Sequence, residues 1–226
     1  MRPFTQHSGI AAPLRRSNVD TDQILPARHL QRVQRDGFGE FLFARWREDP
    51  DFVLNQERFR TASILVAEPD FGTGSSREHA VWAIQQAGFR VVVSERFGDI
   101  FRANSANAGL LTAAPAESDV ERLLTWLEGG GGVEVHVDLR ACVIDWGAGA
   151  VPFDIPRDHR RQLLEGRDAI EQSLAHLDEI EAYEARRSPV RPFVSRVRSV
   201  VPDRTDDART PRRSSSDGSP DGPVEG

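Results

Sequence analysis

The chain has 226 residues, 38% of them apolar, which is enough for one ordinary domain with a buried core. A single cysteine, Cys142, excludes an internal disulfide and cannot by itself hold an iron–sulfur cluster, and a net charge of -6 argues against nucleic acid as the main ligand. All 29 basic residues are arginine, so chemistry that needs a lysine (a Schiff base, a pyridoxal phosphate anchor, a P-loop) is excluded.

No run approaches the roughly 18 apolar residues needed to span a bilayer, and the N-terminus, MRPFTQHSGI, has no signal-like apolar region. These features predict a cytoplasmic protein with no membrane partner. In chain order, Ile10 to Leu14 is a short apolar stretch leading into the polar turn Ser17 to Asp22, where Asx and Thr side chains can bond local backbone. Residues 38 to 47 place Phe38, Phe41, Leu42 and Trp46 at three- and four-residue spacing and predict a helix. Ser63 to Ala67 and Arg90 to Ser94 predict buried strands, with a helix from Ser76 to Ala87 between them and Gly88 just past its end. Such a β-loop-α-β unit implies parallel strands. A shorter helix is expected over 97–107, and another over 120–127 that the glycines 129–132 break. Val133 to Val137 and Ala141 to Trp146 alternate like a hairpin. Residues 156 to 186 return to helical patterning, with Asp178 placed to cap a last segment holding Ile180 and Tyr183. From residue 188 the composition turns to Arg, Pro, Ser and Asp, so the folded domain is expected over 1–187, with a tail over 188–226 that is disordered from about 203.

The run with chemical content is Phe71-Gly72-Thr73-Gly74-Ser75-Ser76-Arg77-Glu78-His79, between a strand end and a helix start. Ligands of open α/β sheets gather there, glycines allow close backbone approach, and helix N-termini favour anions. Arg77 offers a planar fork that fits a carboxylate. Ser75 beside it is a candidate base, although Ser75 and Glu78 also match the S-x-x-E capping box, in which the hydroxyl only satisfies a backbone donor. The spacing is not G-x-G-x-x-G, which argues against a dinucleotide. A lone helical His79 fits packing better than metal ligation.

The run FGTGSSREHA, preceded by SNVDTDQILPARHL and followed by GFRVVVSERFGDIFRANSANAGLL, resembles the small subunits of 3-isopropylmalate dehydratases, relatives of the aconitase swivelling domain, over roughly residues 1–187. That resemblance implies an α/β fold of the swivelling β/β/α type. It also implies a large-subunit partner that carries a [4Fe-4S] cluster with an open iron, no cofactor on this chain, and a small dicarboxylic acid as substrate. By similarity, Ser75 removes the proton next to the leaving hydroxyl, Ser76 holds the loop or substrate, and Arg77 grips a carboxylate. Asp22 matches a motif aspartate that can orient Arg77. Leu30, Arg32 and Val33 fall in a loop that selects the substrate side chain, and Asn104 and Asn107 match polar positions near the site. Thr73 stands where relatives often carry cysteine. Citraconate or homoaconitate-type hydration, and a non-enzymatic anion-binding module, are the alternatives to isopropylmalate isomerisation.

Overall fold

The computed structural model describes residues 1–30, 36–75, 77–130, 132–167, 169–174 and 176–186. The chain falls into two units, Met1–Glu181 and Ala182–Gly226. The first is built on a seven-stranded sheet: β1 (Gln6–Leu14), β2 (Ile64–Ala67), β3 (Val91–Val93), β4 (Leu111–Ala113), β5 (Glu134–Asp138), β6 (Val143–Asp145) and β7 (Ala150–Pro152), in the order β4-β3-β2-β1-β5-β6-β7. β1 to β4 pair in parallel, as the β-loop-α-β pattern requires, and β5 to β7 are antiparallel. The nine-residue β1 joins the halves: Ala11 to Leu14 pair with Ile64 to Ala67, and Gln6 to Ile10 with Asp138 to Glu134.

β2 and β3 read as unbroken apolar runs because both of their faces are covered. Ile64 and Val66 join Ala11, Val91 and Val93 against α4 (Glu117–Glu128), through Val120, Leu123, Leu124 and Leu127. Leu65 and Ala67 point the other way and join Ala12, Leu14 and Val92 against α2 (Glu78–Gln86), through Ala80, Val81, Ala83 and Ile84. The period-two alternation of a strand thus feeds two cores, each fully buried leucine contributing about 1.5–3 kcal/mol. α3 (Asp99–Ala108) follows β3 and ends at Gly109 in the left-handed region, φ 87°. In the antiparallel half the alternation is one-sided: Val135 and Val137 are buried, while Glu134 is exposed.

The helix expected over 38–47 does not form. Two 3-10 turns, Gly39–Phe41 and Trp46–Glu48, stand there instead, separated by Phe43 at φ 53°. The spacing marked buried residues correctly, since Phe38 and Leu42 are inaccessible and Phe41 and Trp46 pack on the core, yet the backbone is recruited elsewhere. Phe43 N–H donates to Ile24 O at 2.8 Å and Arg47 Nε to Leu42 O at 3.0 Å, long-range and local bonds that replace the helical ladder. The helical stretch expected over 156–186 is broken at Gly166, φ 68°, which separates α5 (Arg157–Glu165) from α6 (Ala169–Leu174). The last helix, α7, spans Leu177–Arg186, so Asp178 lies in its first turn rather than capping it, and Ile180 and Tyr183 are exposed. The tail over 188–226 lies outside the described residues.

Candidate active site

Three segments meet at the carboxyl ends of the parallel strands: residues 15–25 after β1, 68–75 after β2 and 94–98 after β3. Backbone bonds stitch them together. Gly72 and Thr73 N–H both donate to Val19 O, at 2.7 and 3.2 Å, and Thr21 N–H returns to Thr73 O at 3.0 Å. On the other side, Phe71 N–H donates to Arg96 O at 3.1 Å and Gly98 N–H to Phe71 O at 2.9 Å. The strand pairing therefore continues past the strands proper, through the parallel bridges Asp20 to Thr73 and Phe71 to Phe97. Gly72 is required at its position twice over: its φ is 75°, and a Cβ there would lie 2.2 Å from Cγ of Phe101. Gly74, at φ 89°, then turns the loop outward.

Ser75 stands exposed on this loop, and its hydroxyl has no partner among the described residues. The capping box that Ser75 and Glu78 could have formed is absent. α2 starts at Glu78, its N-cap is Arg77, and no side chain caps it. The helix begins two residues later than its apolar pattern predicts because other groups hold the preceding turn. Ser75 O accepts from Arg77 N–H at 2.8 Å and from the Thr21 hydroxyl at 3.1 Å. These bonds leave the Ser75 side chain at the surface of the loop, free of a structural task.

Arg77 and Asp22, 55 residues apart, form an ion pair: Nη1 donates to Oδ1 at 2.8 Å. The same Oδ1 accepts from Ala27 N–H at 2.9 Å. The Arg77 hydrogen bond first, and the Ala27 N–H second, hold the Asp22 carboxyl below the usual carboxylate range. Asp22 is itself placed by a one-turn helix, α1 (Thr21–Ile24), whose cap is Asp20: its Oδ1 accepts from Asp22 and Gln23 N–H while Gln23 Oε1 accepts from Asp20 N–H. The D-x-x-Q spacing of Asp20 and Gln23 was a readable capping-box signal in what the sequence suggested was only a turn. Arg77 spends one of its five donors on Asp22, and its side chain remains 26% exposed, so the fork stays available to a carboxylate arriving from solvent.

Of the other site candidates, the described residues include Leu30, Asn104 and Asn107. Ser76, Arg32 and Val33 lie outside the described residues. Leu30 is half-buried and packs against the core. Asn104 is half-buried on α3, and Asn107 Oδ1 accepts from Gln162 Nε2 of α5 at 2.6 Å, a contact between helices. His79 packs edge-on against Phe38 at 5.3 Å and against Trp82 at 4.8 Å between ring centroids. Phe101 and Thr21 were not foreseen; the first shapes the floor under Gly72 and the second holds Ser75. Cys142 is half-buried near the β5–β6 turn, its thiol 3.4 Å from Leu139 O. Among the described residues no three His, Cys, Asp or Glu side chains converge as a metal site, and no helix is long and apolar enough to cross a membrane. One thiol does not fit the several thiolates that an iron–sulfur cluster requires.

A family model described as the aconitase C-terminal domain matches residues 1–117, which contain β1 to β4 and the whole loop cluster. The chain is 54% identical over 192 residues to the 3-isopropylmalate dehydratase small subunit of Micrococcus luteus, covering 85% of this chain and 96% of that one. It is 56% identical over 192 residues to the protein of the same name from Acidothermus cellulolyticus, covering 85% of this chain and 98% of that one. Among solved structures, the 3-isopropylmalate dehydratase of Methanocaldococcus jannaschii superposes with a TM-score of 0.58 at 23% identity, covering 79% of this chain and 99% of that one, a likeness of fold.

Proposed function

The chain belongs to the small-subunit family of 3-isopropylmalate dehydratase, whose members share the aconitase-type swivelling α/β domain, and from that premise we propose how its residues serve the reaction. It is one subunit of a heteromeric hydro-lyase, and the reaction is the interconversion of 2-isopropylmalate and 3-isopropylmalate through 2-isopropylmaleate, a step of leucine biosynthesis. The domain that carries this chemistry spans 1–187, and the setting is the cytoplasm, in keeping with a chain of one cysteine.

The observation that carries the assignment of roles is the juxtaposition on one loop of an exposed, uncommitted Ser75 hydroxyl and an Arg77 guanidinium held by Asp22. Arg77 binds a substrate carboxylate through its remaining donors. Asp22 anchors one end of the fork through a single Nη1–Oδ1 bond, and because that donor is taken, the carboxylate is met by the others. Ser75 takes the proton from the carbon adjacent to the leaving hydroxyl. As that C–H bond breaks, negative charge moves onto the neighbouring carboxylate, where a fixed guanidinium stabilises it more than it stabilises the ground state. Return of water to the other carbon of the double bond completes the isomerisation, with Ser75 giving the proton back. Ser76 supports the loop or substrate. Arg32 and Val33, with Leu30, form the segment that meets the substrate side chain, and Asn104 and Asn107 lie on the helix behind the loop.

This chain lacks the thiolates for a [4Fe-4S] cluster, so the cluster is assigned to the large subunit, where it supplies Lewis-acid chemistry when bound. Docking of the large subunit covers the exposed loop and excludes water from it. The test is reconstitution: purified chain added to cluster-loaded large subunit restores hydration of 2-isopropylmaleate, with citraconate and homoaconitate run beside it. Preference for either of those acids changes the substrate, and inactivity of the assembled pair on all three overturns the enzyme assignment.

A further inference from the structure

Thr21 is 3% exposed, and its backbone and side chain both reach the catalytic loop: N–H to Thr73 O at 3.0 Å and hydroxyl to Ser75 O at 3.1 Å. The backbone ladder between the two segments, which runs through Val19 with Gly72 and Thr73 and then Thr21 with Thr73, ends at that point. Beyond it, among the described residues, side chains hold the two segments, first the Thr21 hydroxyl on Ser75 O and then Asp22 on Arg77. Two adjacent residues of the β1 loop, Thr21 and Asp22, thus grip two functional residues of the β2 loop, Ser75 and Arg77.

The two grips act on different things. Asp22 orients the group that binds substrate, whereas Thr21 fixes a carbonyl in the residue that carries the base. Ser75 O has two lone pairs, and both are used, one by Arg77 N–H and one by the Thr21 hydroxyl. The Ser75 carbonyl is therefore held from two sides, which restrains rotation about the bond that joins it to the Cα bearing the side chain. Gly74, at φ 89°, stands immediately before Ser75; an added Cβ there would lie 3.5 Å from Asp20 Cβ and 3.9 Å from Thr21 Oγ1, so this turn packs on the same segment that carries the hydroxyl.

We propose that Thr21 is a positioning residue for proton abstraction, its buried hydroxyl holding the Ser75 carbonyl so that the Ser75 side chain points at the reacting carbon. This inference rests on Ser75 being the base. Misplacement of a reacting group by about 1 Å costs up to about a hundredfold in rate, while binding through Arg77 is secured independently by Asp22. Loss of the hydroxyl should therefore lower kcat and leave KM in place.

The experiment compares Thr21→Val, Thr21→Ser and Ser75→Ala in the reconstituted two-subunit enzyme, by steady-state kinetics on 2-isopropylmaleate and by thermal melting of the isolated chain. Thr21→Val keeps the shape and removes the hydrogen bond; a 10- to 100-fold fall in kcat with KM within threefold of wild type is expected. Thr21→Ser restores the donor and should recover most of the rate. A kcat for Thr21→Val within twofold of wild type, beside an inactive Ser75→Ala, overturns the positioning role and leaves Ser75 as base. Full activity of Ser75→Ala removes the base assignment itself. Equal losses in Thr21→Val and Thr21→Ser, tracking a lowered melting temperature, make Thr21 a packing residue and also overturn the proposal.

Discussion

Replacement of Asp22 by Asn removes the carboxylate charge and keeps the size of the side chain, so it isolates the ion pair with Arg77. The two side chains are 39% and 26% exposed, and water screens the pair. As a half-exposed pair it contributes about 0.2–1 kcal/mol to stability, and Asp22→Asn should lower the melting temperature only slightly. Function is more sensitive. With the carboxylate gone, the Arg77 fork loses its orienting partner and a substrate carboxylate must order it on arrival; about 1.4 kcal/mol of lost binding is tenfold in KM. The pair also has a pH signature. Because Arg77 and Ala27 N–H lower the folded-state pKa of Asp22, its stabilising effect is fully present above the unfolded value of about 3.9 and is lost as pH falls through the depressed folded value. The difference in melting temperature between wild type and Asp22→Asn should be constant from about pH 5 upward and should shrink below about pH 4. Kinetics of the reconstituted enzyme together with melting curves across pH measure both. An unchanged KM, or a stability difference that grows with acid, refutes the role given to the pair.

Two glycine substitutions separate conformational strain from crowding. Gly72→Ala must place a methyl 2.2 Å from the Phe101 ring at φ 75°, and about 2–4 kcal/mol of lost stability is expected in denaturant titration. Gly88→Ala meets nothing within 4 Å at φ 100°, so only the backbone strain of about 1 kcal/mol should be seen. Arg77→Lys keeps the charge and loses the planar fork, so kcat/KM should fall by about 100-fold while the melting curve moves by less than about 1 kcal/mol; wild-type kinetics would show that a point charge suffices. Leu65→Ala, in the core beneath α2, should cost about 2–5 kcal/mol in the same titration, and a loss below 1 kcal/mol would contradict the packing described for that face.

The elements that local pattern could reveal were those whose hydrogen bonds are local. β2, α2 and β3 stand almost where the apolar runs of 63–67, 76–87 and 90–94 put them, because both faces of the strands are covered and the helix buries one stripe. The stretch 38–47 went wrong for the opposite reason. Phe38 and Leu42 are buried as their spacing implies, but Phe43 N–H is claimed by Ile24 O, and no periodicity encodes a partner 19 residues away. The site follows the same division. Glycine, serine and arginine in one run marked the loop, yet the late start of α2 depends on Thr21 and Asp22, which reach Ser75 and Arg77 from the end of a different strand. The ion pair of Asp22 with Arg77 was anticipated only through family resemblance; in the sequence the two residues lie 55 positions apart, and composition gives no hint that they touch.

The central claim, that Ser75 of this chain moves the proton, is tested most directly by isotope exchange. In deuterated water the reconstituted wild-type enzyme should place deuterium on the carbon next to the hydroxyl-bearing one, read by mass spectrometry of the isopropylmalate pool. Ser75→Ala, assembled with the same large subunit, should still bind substrate and incorporate no deuterium above the enzyme-free background. Incorporation by Ser75→Ala at the wild-type rate would contradict the account.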